Sequence, residues 1–216
     1  MSSHRLQART QSARRAETRA AILAAGADAF AEDGLAGART DSIAAAAGVN
    51  KAMLYYYFKS KDQLFEAVVQ DHFEDFNRRA MAVLEAPGPA APILLAYVGL
   101  HFDFISTRRR YGCLYQQMMM TGGKPLERLV KKYFAPRSEA IDRLLDRGMR
   151  SGEFRRADRR HTAISIIALI VFYFSAGRVM ELMGNTEAFT DATLKKRKQE
   201  VLEFIRHALF TDPSAN

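Results

Sequence analysis

Four alanines and a glycine, Ala44 to Gly48 in "TDSIAAAAGVNKAMLYYYF", constrain this chain more than any other stretch. Small side chains let two helices approach closely, and Gly48 takes a turn conformation that a larger residue resists. A short helix capped by Thr40 leads into the turn, and a second, Lys51 to Phe58, leaves it. That is a helix-turn-helix. Upstream, a helix fits Arg14 to Asp33, with Ile22, Gly26, Ala29 and Phe30 on one face and Gly34 just past its end. Downstream, Ser60 with Gln63 reads as a capping box that opens a long helix toward Leu84.

The rest of the chain carries helical spacing and almost no strand signal. "EAPGPAAP" at 85–92 is the clearest break. Further helices fit about 92–109, 111–120, 125–150, 156–183 and 188–210. The expected fold class is all-α: a basic arm over 1–13, a three-helix DNA-binding domain over 14–62, and a helical domain over 63–216.

Composition narrows the function classes. The 216 residues carry a formal net charge of +8, and residues 1–61 hold nine cations against five anions, half of that excess. A basic N-terminal quarter suits a polyanion partner. Cys113 is the only cysteine, which fits a reducing cytoplasm. The longest apolar run, Ala163 to Phe174, is shorter than the ~20 residues a membrane span needs, so no membrane partner is expected. No Gly-rich phosphate loop, nucleophile elbow, metal motif or cysteine pair is present. The chain reads as no enzyme, with no cofactor and no metal.

Helical rotation of about 100° per residue sorts the residues of the third helix. Leu54 and Phe58 share an inward face. Ala52, Met53 and Tyr56 point away from it, where they would meet base edges and thymine methyls in a major groove. Tyr55 and Tyr57 flank that face as phosphate donors, with packing between helices as the alternative. Lys51, Thr40 and Lys61 are further phosphate candidates; Lys61 lies in a helix's first turn, where free N–H groups also favour an anion.

"TDSIAAAAGVNKAMLYYYFKSKDQLFEAV", Thr40 to Val68, resembles the DNA-binding signature of TetR-type transcriptional regulators. The Ala-Gly-Val turn, the Leu-Tyr-x-Tyr-Phe run, the Lys-x-Lys pair and the Leu-Phe beyond it carry the likeness. "ILAAGADAFAEDGLAGARTDSIA" upstream also fits. The resemblance implies an all-helical homodimer that binds double-stranded DNA and holds a small-molecule site in its C-terminal domain. It carries the recognition helix over to Lys51 through Tyr57 and the phosphate lysine to Lys61. Met53 departs from the small or hydroxylated residue usual there.

The run from Ala163 to Phe174 is apolar on nearly every side, so its helix needs partners on two sides. The smaller-residue face, Ile164, Ala168, Val171 and Ser175, is assigned to a dimer, and Val201, Ile205 and Leu209 on the last helix join it. "HFDFISTRRRYGCLYQQMMM" gathers His101, Phe102, Phe104, Ile105, Tyr115, Met118 and Met119. With Phe134 and Tyr173, these suit a lipophilic or aromatic effector, since methionine adapts to varied shapes. The same stripe also fits a plain core. The expected function is a ligand-responsive regulator, a repressor, reading palindromic DNA as a dimer and released by its effector. The alternative is a DNA-binding or architectural protein without a ligand.

Overall fold

The computed structural model describes residues 2–108, 119, 122–184 and 187–212. Among these the chain is helical: α1 (Ser2–Gly37), α2 (Thr40–Ala46), α3 (Lys51–Tyr57), α4 (Lys61–Leu84), α5 (Ala90–Thr107), α6 (Gly123–Leu129), a π turn (Val130–Phe134), α7 (Ala135–Ser151), α8 (Arg159–Ser175), α9 (Gly177–Leu182) and α10 (Asp191–Leu209). One strand-like bridge is described, between Phe154 and Phe210. The helix expected over 111–120 falls almost wholly outside the described residues. Two compact units result, one built on Met1–His72 with Cys113–Pro125, the other on Phe73–Gly112 with Leu126–Asn216. They divide within α4, further along the helix than the boundary expected at 62 and 63.

In the first unit, Ile22, Phe30, Ile43, Leu54, Phe58, Leu64 and Val68 are buried together. The Phe30 and Phe65 rings meet edge to face at 5.3 Å. Two local details set the motif. Asn50 caps α3, its side-chain oxygen accepting from the Met53 N–H at 2.7 Å. The Ser60 hydroxyl accepts from the Gln63 N–H at 3.1 Å, so the cap read from the sequence opens α4. Gly48, at φ 69°, makes the turn.

Two expectations change here. Residues 2–13 are helical, not an arm, because α1 starts at Ser2. Nothing before Gly26 breaks it, and Ala, Arg and Gln favour helix. Thr40 is the first residue of α2 and caps nothing; Arg39 holds the cap position without a side-chain hydrogen bond. The Thr40 hydroxyl instead lies 3.4 Å from the Tyr55 hydroxyl.

The second unit packs around α5, whose Leu94, Tyr97, Val98, Phe102 and Phe104 are buried. By length and composition α5 could cross a membrane, but 56% of it is buried inside the unit, as a core helix must be. Its N-terminus is satisfied from a distance: Glu153 accepts from the Ala91 N–H at 2.8 Å. Burial pulls the Glu153 carboxyl upward. Hydrogen bonds from Ala91, Ser151 and Ala90 outweigh it and hold the pKa below the usual value. Gly148 is required because a Cβ there would enter the Phe154 ring.

The helix expected over 156–183 is two, α8 and α9, joined at Ala176 (φ −84°, ψ 4°). The break lets Gly177 lie against Phe189, whose ring leaves no room for a Cβ. On α8, Ala163, Ile166 and Ile170 are buried while Ile164, Ala168 and Ser175 are exposed and Val171 is half-buried. Val201, Ile205 and Leu209 do not join the outward face. They are buried in the unit's own core. The apolar stripe of α10 is consumed by that core, and it is Phe204, 59% exposed, that faces out.

Candidate functional site

The first candidate surface lies on α3. Leu54 is fully buried and anchors the helix, while Ala52, Met53, Tyr55 and Tyr56 are exposed, Tyr56 by 68%. Tyr57 is half-buried, its ring edge-on to Tyr56 at 5.4 Å. Tyr56 is therefore propped rather than free to swing.

Two of the basic side chains around α3, Lys51 and Lys61, are held in place. Lys51 pairs with Asp41 at 2.9 Å, both exposed, so a phosphate would compete with a carboxylate there. The Lys61 ammonium donates to the Ala36 and Ala38 carbonyls, each at 3.1 Å. An ammonium has three donors, so one remains for an anion.

The sequence reading missed a neighbour. An open groove of about 380 Å³ runs between α1 and α3, lined by Gln11, Arg14, Arg15, Thr18, Met53, Tyr56 and Tyr57. Arg14 and Arg15 are exposed and flank the outward face of α3. The surplus of cations before residue 61 is the signal that could have found them.

The second candidate lies in the other unit. The expected effector residues separate into two aromatic groups. His101 and Phe104 both pack on Phe76, with ring centroids at 4.6 and 4.9 Å. Phe134 joins this group through Arg137, whose guanidinium stands 4.9 Å from the Phe76 ring and 5.2 Å from the Phe134 ring. Phe102 turns instead to Phe174, at 5.1 Å. Tyr173 belongs with Phe174 and Phe189, and its hydroxyl donates to the Ala188 carbonyl at 2.6 Å. Ile105 is half-buried against the core. Met119 is exposed, and Tyr115 and Met118 lie outside the described residues.

Arg137, Tyr97 and Phe76 went unnoticed in the sequence. Tyr97 is one helical turn before His101 on α5, and their rings stand 5.8 Å apart. Arg137 follows the π turn, a distortion that recurs at functional sites. Burial, and secondarily the Arg137 charge, push His101 down to about 3, so its imidazole is neutral. Burial raises the Tyr97 phenol against the pull of Arg137. The Arg137 guanidinium acts on the phenol by charge and by a side-chain hydrogen bond that falls outside strict geometry, while His101 Nδ1 has no partner.

Known proteins resemble the chain over both units. Residues 22–68 match the family model "Bacterial regulatory proteins, tetR family", and residues 93–205 match "Tetracyclin repressor-like, C-terminal domain". The HTH-type transcriptional regulator RutR of Escherichia coli (strain K12) is 30% identical over 193 residues, 86% of this chain and 89% of RutR. The HTH-type transcriptional repressor NicS of Pseudomonas putida is 34% identical over 84 residues, 38% of this chain and 40% of NicS. A transcriptional regulator from Saccharomonospora viridis, solved in complex with choline, shares the fold. Its TM-score is 0.74 at 21% identity, over 91% of this chain and 100% of that one. FadR from Bacillus subtilis in complex with stearoyl-CoA gives a TM-score of 0.68 at 20% identity, over 86% of this chain and 96% of that one.

Proposed function

The chain belongs to the TetR family of bacterial transcriptional regulators, and on that premise we propose that it is a repressor. It reads palindromic DNA as a homodimer through α3 and is released by a small effector bound in the second unit. The observation that carries the reading is the outward face of α3. Ala52, Met53 and Tyr56 form an apolar strip with one hydroxyl, sized for a major groove, and cations flank it.

A two-fold dimer places two such helices about 34–36 Å apart, or a multiple of that, on one side of a duplex. The α8 and α10 faces support it. Ile164 and Phe172, at 64% and 71% exposure, and Phe204 leave apolar surface that water does not favour. A shallow groove of about 250 Å³ between the two helices, lined by Leu169, Phe204 and Ala208 among others, would take a partner's side chains.

Release needs an effector that prefers the form whose reading heads no longer match the groove, since equal affinity for both forms shifts nothing. Regulators of this fold solved with choline and with stearoyl-CoA support effector sensing. Enrichment of genomic fragments on the purified protein would yield the operator, and fluorescence anisotropy across a salt series would measure it. Tyr56→Ala should lose roughly 1–3 kcal/mol and blur sequence preference. Lys61→Ala should weaken all sequences alike and lower the salt slope by about one. Unchanged affinity in both variants rules out α3 as the reading head, and light scattering at the monomer mass of 24.3 kDa rules out the dimer.

A further inference from the structure

We infer that the first half of α1 is a second DNA-binding element: it lies along a duplex beside the α3 contact and grips phosphates without regard to sequence. The inference rests on the reading that α3 faces DNA, and it adds a surface which that reading does not need.

α1 opens at Ser2. From Gln11 to Ala21 every side chain is exposed except that of Thr18, which is half-buried, and the core takes over at Ile22 and Leu23. A helix in water draws most of its stability from a packed apolar face. This stretch cannot offer one, since Leu6 is the only large apolar side chain from 2 to 21. A protein groove or a lipid surface, each of which takes an apolar face, is therefore the wrong partner.

The charge is one-sided. Residues 2–19 hold five arginines, Arg5, Arg9, Arg14, Arg15 and Arg19, against Glu17. Arg5 with Arg9, and Arg15 with Arg19, stand four residues apart, a spacing at which like charges repel across one helical turn. A helix selected for stability alone would set a glutamate in one place of each pair. A polyanion laid on the helix offsets that repulsion, and the planar fork of arginine suits phosphate oxygens.

The groove beside α3 fixes where the polyanion runs. Arg14, Arg15 and Thr18 line it on one side, Met53, Tyr56 and Tyr57 on the other. Thr18 spends its hydroxyl on the Arg14 carbonyl at 2.8 Å, which leaves the two arginines as the cationic donors. Among the described residues no carboxylate pairs with either of them, whereas Lys51 is held by Asp41. A strand seated there continues past α3 onto α1. From Thr18 back to Ser2 the helix spans about 24 Å, room for roughly seven phosphates of one strand.

A labelled 30-base-pair duplex of mixed sequence, titrated with the full chain by fluorescence anisotropy across a salt series, tests this. Ala13→Pro breaks α1 ahead of Arg14 and touches no core residue. Arg5→Gln with Arg9→Gln keeps the helix and removes two charges. Each should weaken binding of the mixed duplex about tenfold at low salt and lower the salt slope by about two. In the unaltered chain, the amides of residues 2–13 should exchange more slowly once the duplex is bound, as read by mass spectrometry. Unchanged affinity and slope in both variants, or amides that the duplex does not protect, overturns the inference and leaves α3 to its own test, Tyr56→Ala on the operator. Both effects present while Tyr56→Ala leaves operator affinity unchanged keep the phosphate grip and sink α3 as the reading head. Amides protected by transfer RNA but not by the duplex point to RNA and overturn the inference as well.

Discussion

The two units treat their polar side chains in opposite ways. Around α3, Asn50 is spent on a cap, Lys51 on Asp41, and Lys61 on two carbonyls. What remains exposed is shape, a ridge of Ala52, Met53 and Tyr56. In the second unit the cost runs inward: Tyr97 and His101 are buried beside a buried guanidinium, His101 with Nδ1 unmatched. A surface proposed to meet a stiff external polymer gains from rigidity fixed in advance.

The contrast can be broken with acid first, where the expected effect is largest. An unfolded histidine titrates near 6.5, and His101 in the fold near 3. Between those values the unfolded chain takes a proton that the folded chain refuses. The contribution of His101 to stability is therefore complete above pH 6.5 and is lost as the pH falls toward 3. The groups that face it are Arg137, Tyr97 and Phe76, and none of them supplies a negative charge. The loss at pH 4 should be roughly 3 kcal/mol, read by calorimetric melting. His101→Phe should flatten that part of the pH profile, and an unaltered profile would show that His101 is not held neutral.

A pair of deletions sharpens the comparison at smaller scale. Asn50→Ala removes a satisfied cap and should cost about 1 kcal/mol of stability. Tyr97→Phe removes a hydroxyl whose contact with Arg137 falls outside strict hydrogen-bond geometry and should cost less than Asn50→Ala in chemical denaturation. If Tyr97→Phe destabilises as much as Asn50→Ala, the hydroxyl has a structural partner and the contrast fails. The smallest effect concerns the groove beside α3. Arg14→Ala and Arg15→Ala should each reduce the salt slope of DNA binding by up to about one while leaving sequence preference intact. A changed preference would move those arginines from phosphates to bases.

The first unit was legible because its signals are local. Gly48 and Ser60 act within four residues of themselves, and helical rotation alone separates Leu54 from Tyr56. Thr40 shows the limit even there, since its hydroxyl lies beside Tyr55 across the motif and caps nothing. In the second unit the same reasoning faltered. Val201, Ile205 and Leu209 form an apolar stripe that periodicity reveals, but periodicity cannot say whether the core or a partner covers it. The stripe of large soft residues from His101 onward was seen, yet Phe102 and Phe104 leave α5 toward different clusters.

What the sequence by itself determined is the family, the all-helical class and the exposed face of the helix proposed to read DNA, because turn glycine, caps and face periodicity are properties of adjacent residues. Only the tertiary structure decided which polar groups are buried together. Tyr97 and His101 on one helix meet Arg137 on another, and Arg14 and Arg15 come beside Tyr56 although α2 intervenes in the chain. Desolvation and pairing depend on neighbours in space, and one sequence read along its length carries no record of them.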